Sequence, residues 1–206
     1  MTTVILPGIC DHPYDSILLL ALNWPDWFDQ PPSVMKDTLD AIRERKSVRS
    51  YTGEPVSREF IDKLLHAAMA APAAIHMLPW KFIVVTDKER LKALAGGLPF
   101  AQMVNRAGTG IVVCAVPEEA AMNSEAYAVL DCACASENIL LAAEALGLGA
   151  VWTAIYPNQE LMDFVREELG IPKNVIPLNL IPVGYPTGEE KATDKYDPRN
   201  VHWEKW

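Results

Sequence analysis

The stretch SEAYAVLDCACASENILLAAEAL, Ser124–Leu146, is the longest helical pattern in the chain, and its composition points to the fold class. Val129, Ala133, Ser136, Leu140 and Ala143 recur on one face, and Leu130, Ile139 and Leu146 widen the apolar surface. A helix that is small or apolar nearly all round is predicted to lie at the centre of a domain. Gly147 and Gly149 end it, because glycine accepts the left-handed conformations of a helix stop. Downstream, Ala150–Tyr156 reads as a strand, and Asn158 caps a helix running through Leu169. Val175–Val183 reads as the last core strand, kinked by Pro177 and Pro182.

Upstream of the central helix the same alternation runs back to Asp37. Asp37 caps a helix to about Lys46 with Leu39 and Ile42 on one face. Ser57 caps another, whose stripe is Phe60, Ile61, Leu64, Leu65, Ala68 and Met69, ending in small residues and Pro72. Lys81–Thr86 is predicted to be a strand, Asp87–Leu94 a helix and Pro99–Arg106 a short helix. Gly110–Val116 has the continuous β-branched content of a buried strand. Helices outnumber strands and alternate with them loosely, which predicts an α+β layer architecture.

The ends of the chain differ from this core. Residues 1–36 carry five prolines (Pro7, Pro13, Pro25, Pro31, Pro32) and no sustained helical period. They are expected to form an N-terminal extension to a domain spanning 37–206, with Met35 as an alternative start. The tail from Gly184 to Trp206 is polar and aromatic, with Tyr185, Tyr196, Trp203 and Trp206. Such side chains are costly to leave in water, so the tail is expected to wrap a surface, in a symmetric dimer that of a partner subunit.

Composition excludes several functions. With 27 Asp+Glu against 18 Lys+Arg, the net charge of -9 argues against nucleic acid, which calls for a basic face. No run reaches the roughly 18 apolar residues of a membrane span, and no Lys or Arg precedes Lys36, so a cytoplasmic location is expected. Cys10, Cys114, Cys132 and Cys134 lack zinc-ligand spacing and are expected to be reduced, buried thiols, with no metal site. There is no GxGxxG, P-loop, GxSxG or HExxH.

Against that acidic background, Arg43–Arg49 holds four basic residues and one acid, Glu44. Two readings fit Arg45-Lys46-Ser47-Val48-Arg49: a solvated helix end, or a grip for a small anion in which Arg offers a planar fork of donors and Ser another.

Five segments in order resemble the FMN-dependent nitroreductases. They are Arg45–Arg49 with Tyr51; Ala71-Pro72-Ala73-Ala74-Ile75-His76-Met77-Leu78-Pro79-Trp80-Lys81-Phe82; Leu146–Trp152; Gly184-Tyr185-Pro186; and Asp194–Tyr196 through Val201–Trp203. The resemblance covers residues 37–206. It implies a central mixed β-sheet surrounded by helices, in an obligate homodimer with an exchanged C-terminal tail. It also implies bound FMN, NAD(P)H as electron donor, and reduction of nitroaromatics, quinones or related electron-poor acceptors.

Through the resemblance, Arg45 and Ser47 bind the FMN phosphate and Arg49 reaches the flavin pyrimidine edge, with Lys46 either beside them or facing water. Pro72, Ala73, Ala74 and His76 belong to a loop that covers the flavin of the other subunit. The backbone of Trp152, Thr153 and Ala154 lies near flavin N5, and Lys195 makes a second phosphate contact. The chain departs from the family where Ala73, His76 and Leu78 replace the usual Ser, Asn and Gln, which makes the pocket more apolar. His76 is open to a role at the flavin or the substrate. No side chain is a named catalytic acid, so the flavin carries the chemistry, and a shared pocket implies a ping-pong order. Alternatives are a flavin-destroying or dehalogenating relative, or an FMN-binding storage or redox-sensing protein with Cys132 or Cys134 as sensor.

Overall fold

A computed structural model describes residues 36–206. The expectations for residues 1–35 and Cys10 lie outside the described residues. Helix starts follow the short polar side chains that satisfy the first free N–H groups. Asp37 accepts from Leu39 N–H at the head of α1 (Thr38–Glu44), and Ser57 accepts from Phe60 N–H at α2 (Arg58–Met69). Asp87 caps α3 (Lys88–Gly97), Ser124 caps α5 (Glu125–Ala145) and Asn158 caps α6 (Gln159–Leu169). The helix expected over 99–106 is shorter and later: α4 spans Val104–Ala107 and stops at left-handed Gly108.

The strands are β1 (Trp80–Val85), β2 (Thr109–Ala115), β3 (Gly149–Ala150), β4 (Thr153–Ala154) and β5 (Ile176–Gly184). The sheet order is β1-β2-β5-β3, with β4 also on β5. Every one of these ladders is antiparallel. Among the described residues, the parallel component of the expected mixed sheet is one bridge, Ser47 to Ala150. β2 and β5 are buried along their whole length, as their near-continuous apolar sequences require.

The strand expected over 150–156 is split. β3 and β4 pair with β5 in one continuous register, Ala150 opposite Val183 and Thr153 opposite Leu180. Continued through the gap, that register sets Val151 opposite Pro182, which brings no N–H to a ladder. Pro177 is accommodated in the same way on the other side of β5, where the register with β2 shifts between Val113 and Cys114.

By length and mean hydropathy alone α5 could cross a membrane, although Asp131, Glu137 and Glu144 interrupt its apolar residues. Here it packs against α2, α1 and the sheet, and it buries Ala128, Cys132, Ala135, Ile139, Leu140 and Ala143. It is the expected central helix, though Leu130 faces solvent. Leu39 and Ile42 on α1 and Met69 on α2 are also exposed, as are Tyr196, Trp203 and Trp206 in the tail. Cys114 and Cys132 are buried, whereas Cys134 is exposed, contrary to the expectation of a buried thiol. Its position on α5, two residues from Cys132, turns it about 200° away from its buried neighbour.

Candidate functional site

The basic run leaves α1 in an extended conformation (Arg45 φ -55°, ψ 132°) and joins the sheet edge. Val48 N–H donates to Ala150 C=O at 3.0 Å, which lays the run along β3. Val48 is buried against Gly149, where an added Cβ would sit 2.6 Å from Val48 Cγ1. Gly149 is therefore a close-approach glycine rather than only a helix stop.

The charges of the run are differently engaged. Arg45 Nε lies 3.4 Å from Glu137 Oε1 on α5, and no described residue hydrogen-bonds its two terminal nitrogens. Arg49 is exposed, its Nη1 donating to Ser47 C=O at 3.3 Å. Lys46, for which the sequence suggested either the ligand or water, points to neither. Its ammonium donates to both carboxylate oxygens of Glu144, at 3.1 and 3.0 Å. Glu144 is only 5% exposed and also accepts from Lys36. Carboxylates hold the Lys36 ammonium above its ordinary pKa, because the hydrogen bonds it donates to Glu144 and then to Glu44 outweigh partial burial.

The turn after the run is clamped by the start of the tail. Glu190 Oε1 accepts from Arg49 N–H (2.7 Å) and Ser50 N–H (2.9 Å). Burial pushes the Glu190 carboxyl up, but these donors outweigh it and leave the group below its usual range. Tyr51 hydroxyl donates to Val48 C=O at 2.7 Å, and its burial raises its pKa.

The second segment of interest is the loop before β1. Ile75 (φ 46°) and His76 (φ 60°) are consecutive non-glycine residues in the left-handed region, a locally strained backbone. Ala74 N–H donates to Asp131 Oδ1 of α5 at 3.1 Å. Asp131 is 6% exposed, and its Oδ2 has no partner among the described residues. Pro72 and His76 are exposed, with Ala73 and Ala74 half-buried. Asp131 and Glu144 are thirteen residues apart on α5, roughly 20 Å along a straight helix. The loop is thus tied to α5 at Asp131, and the basic run at Glu137 and Glu144 further along it.

Around the gap in the sheet edge, Trp152 packs on the core and Thr153 Oγ1 donates to Leu180 C=O, while Ala154 is exposed. The structure therefore brings together Arg45, Ser47, Arg49 and, through Ala150, the Trp152–Ala154 backbone. The Pro72–His76 loop is held at Asp131 of α5, and Lys195 lies in the exposed tail. Sequence reasoning missed Asp131, Glu144 and Glu190. The available signal for the first two was an acid inside an otherwise apolar helix.

The sequence profile of the nitroreductase family matches residues 42–97 and 95–185. The chain belongs to the nitroreductase family. An Archaeoglobus fulgidus protein provisionally named NADH dehydrogenase/NAD(P)H nitroreductase is 43% identical over 175 residues, covering 84% of this chain and all of that protein. Among solved structures, a Parabacteroides distasonis protein with the same provisional name is 48% identical at a TM-score of 0.79, covering 83% of this chain and 99% of that one. An FMN-dependent nitroreductase of Clostridium difficile R20291 is 29% identical at a TM-score of 0.75, covering 82% and 99%. The α+β layers above are thus a nitroreductase fold, and the protein is an oxidoreductase.

Proposed function

We propose that this nitroreductase-family protein acts as a cytoplasmic homodimer that uses NAD(P)H to reduce nitroaromatics, quinones or related electron-poor acceptors. Its cofactor is FMN, with NAD(P)H as the electron donor, in keeping with its FMN-dependent and NAD(P)H-linked relatives. The observation that carries the reading is the placement of Arg45, Ser47 and Arg49 beside the gap in the sheet edge. In an acidic protein this is a localised set of phosphate donors next to backbone that the sheet leaves unpaired. The donor set fits the group: a guanidinium fork and a hydroxyl suit a phosphate, and Arg49 suits an electron-rich ring edge.

In this reading Arg45 and Ser47 bind the phosphate, and Arg49 sits at the pyrimidine edge. The backbone of Trp152, Thr153 and Ala154 aims N–H groups at the ring, and Lys195 adds a phosphate contact. When bound, FMN supplies the two-electron chemistry, and the protein supplies orientation and electrostatics. Pro72, Ala73, Ala74 and His76 come from the second subunit, in keeping with their exposed or half-buried side chains and the left-handed backbone at Ile75 and His76. Exposed Leu39, Ile42 and Leu130 supply apolar surface for that dimer, and the exposed tail aromatics suit an exchanged tail. Nicotinamide and acceptor use one pocket in turn, a ping-pong order. Cys114, Cys132 and Cys134 are free thiols, which fits a reducing compartment. Burial pushes the Cys132 thiol up to about 12, which speaks against a redox-sensing thiolate there.

Purified protein should carry FMN, bleach with NAD(P)H in the absence of oxygen, and recover its colour on addition of a nitroaromatic or quinone. Bound FMN that no pyridine nucleotide reduces would overturn the reading.

A further inference from the structure

We propose that Glu144 is the positioning residue of the phosphate grip, drawing Lys46 out of the ligand's reach so that Ser47 and Arg49 face the phosphate side together. This deepens the FMN reading above and rests on it. Successive side chains of an extended segment point to opposite sides. Val48 takes one side, buried against Gly149, and Lys46, two residues earlier, is held on α5 by both oxygens of Glu144. The intervening and following positions, Ser47 and Arg49, are left to the other side. Arg45 is held only by a half-exposed partner, Glu137, at 3.4 Å, a weak pair that an anion can displace.

The location of Glu144 makes this assignment specific. It lies in the last turn of α5, where the helix dipole disfavours an acid, and it is buried next to a segment proposed to hold an anion. On charge alone such an acid weakens phosphate binding, so its removal should tighten FMN. If instead Glu144 sets the side each residue faces, its removal should loosen FMN. The two readings differ in sign.

The test compares dissociation constants for FMN and riboflavin, which differ only in the phosphate, at fixed ionic strength. Glu144→Gln and Lys46→Met should each weaken FMN about tenfold and change riboflavin less than about twofold. The double variant should be no worse than either single one, since both act through one contact. Lys36→Met, which removes the other partner of Glu144 outside the run, should leave FMN within about twofold. Tighter or unchanged FMN binding by Glu144→Gln overturns the proposal. So do equal losses of FMN and riboflavin, and so do losses that multiply in the double variant. Should Glu144→Gln not fold, Lys46→Met decides through its FMN-to-riboflavin ratio, an unchanged ratio overturning the proposal. A wild-type protein that binds no FMN fails at the cofactor reading itself, a result distinct from all of these.

Discussion

The basic run at 45–51 and the loop at 72–78 are both proposed to meet the cofactor, yet they are secured in opposite ways. The run is fixed on every side: a bridge to Ala150, Val48 against Gly149, Lys46 on Glu144, and Glu190 across the Arg49 and Ser50 N–H groups. Among the described residues the loop has one side-chain tether, Ala74 to Asp131, and it carries two left-handed residues with exposed side chains at Ile75 and His76. The difference teaches that one segment is pre-organised by its own chain, whereas the other is left exposed, as the proposed contact with a second subunit requires.

The comparison breaks most severely at Gly149. Gly149→Ala places a methyl against the stiff β-branched Val48 and should cost about 2–3 kcal/mol in denaturant unfolding, with loss of FMN. A neutral result would mean that the run is not packed as described. Next comes Arg45→Ala, which should weaken FMN roughly thirtyfold, about 2 kcal/mol, with little change in melting temperature. The loop should respond less. Asp131→Ala should cost about 1–2 kcal/mol and speed proteolysis near residues 74–78, while Asp131→Asn, which keeps an acceptor for Ala74 N–H, should stay near wild type. Similar losses for both would separate the loop from that hydrogen bond.

The smallest effect concerns acid. The Glu190 carboxyl sits below its ordinary value because it accepts backbone N–H groups in the folded state. Its contribution is complete above the ordinary glutamate range of about 4.3 and is lost as pH falls through the lowered folded value. Amide exchange at Arg49 and Ser50 should therefore quicken below that range, and Glu190→Gln should remove the transition. An unchanged acid profile in Glu190→Gln would move the clamp elsewhere.

Much of this architecture was legible because its causes are local. Asp37, Ser57 and Asn158 each cap the helix they were expected to cap, and Asp87 and Ser124, expected as the first residues of theirs, are the caps. The basic run stood out because its charge opposes that of the chain. What escaped depends on partners far away in sequence. The interruption of the 150–156 strand is set by Pro182 in β5, and Lys46 is claimed by Glu144, 98 positions on. Glu190 reaches back 141 positions to Arg49. No periodicity or cap marks such pairs. Asp131 and Glu144 broke the apolar pattern of α5 and could have been flagged as buried acids, but not matched to their partners.

α5 acts as a ruler. Because Asp131 and Glu144 sit on one uninterrupted helix, inserting a single residue between them would swing one acid about 100° around the axis and slide it 1.5 Å. Either the loop or the run would lose its tether, though every side chain remained. Substitutions at exposed positions such as Cys134 leave that distance untouched. Among relatives that keep both acids, the length of this stretch should therefore vary less than its composition.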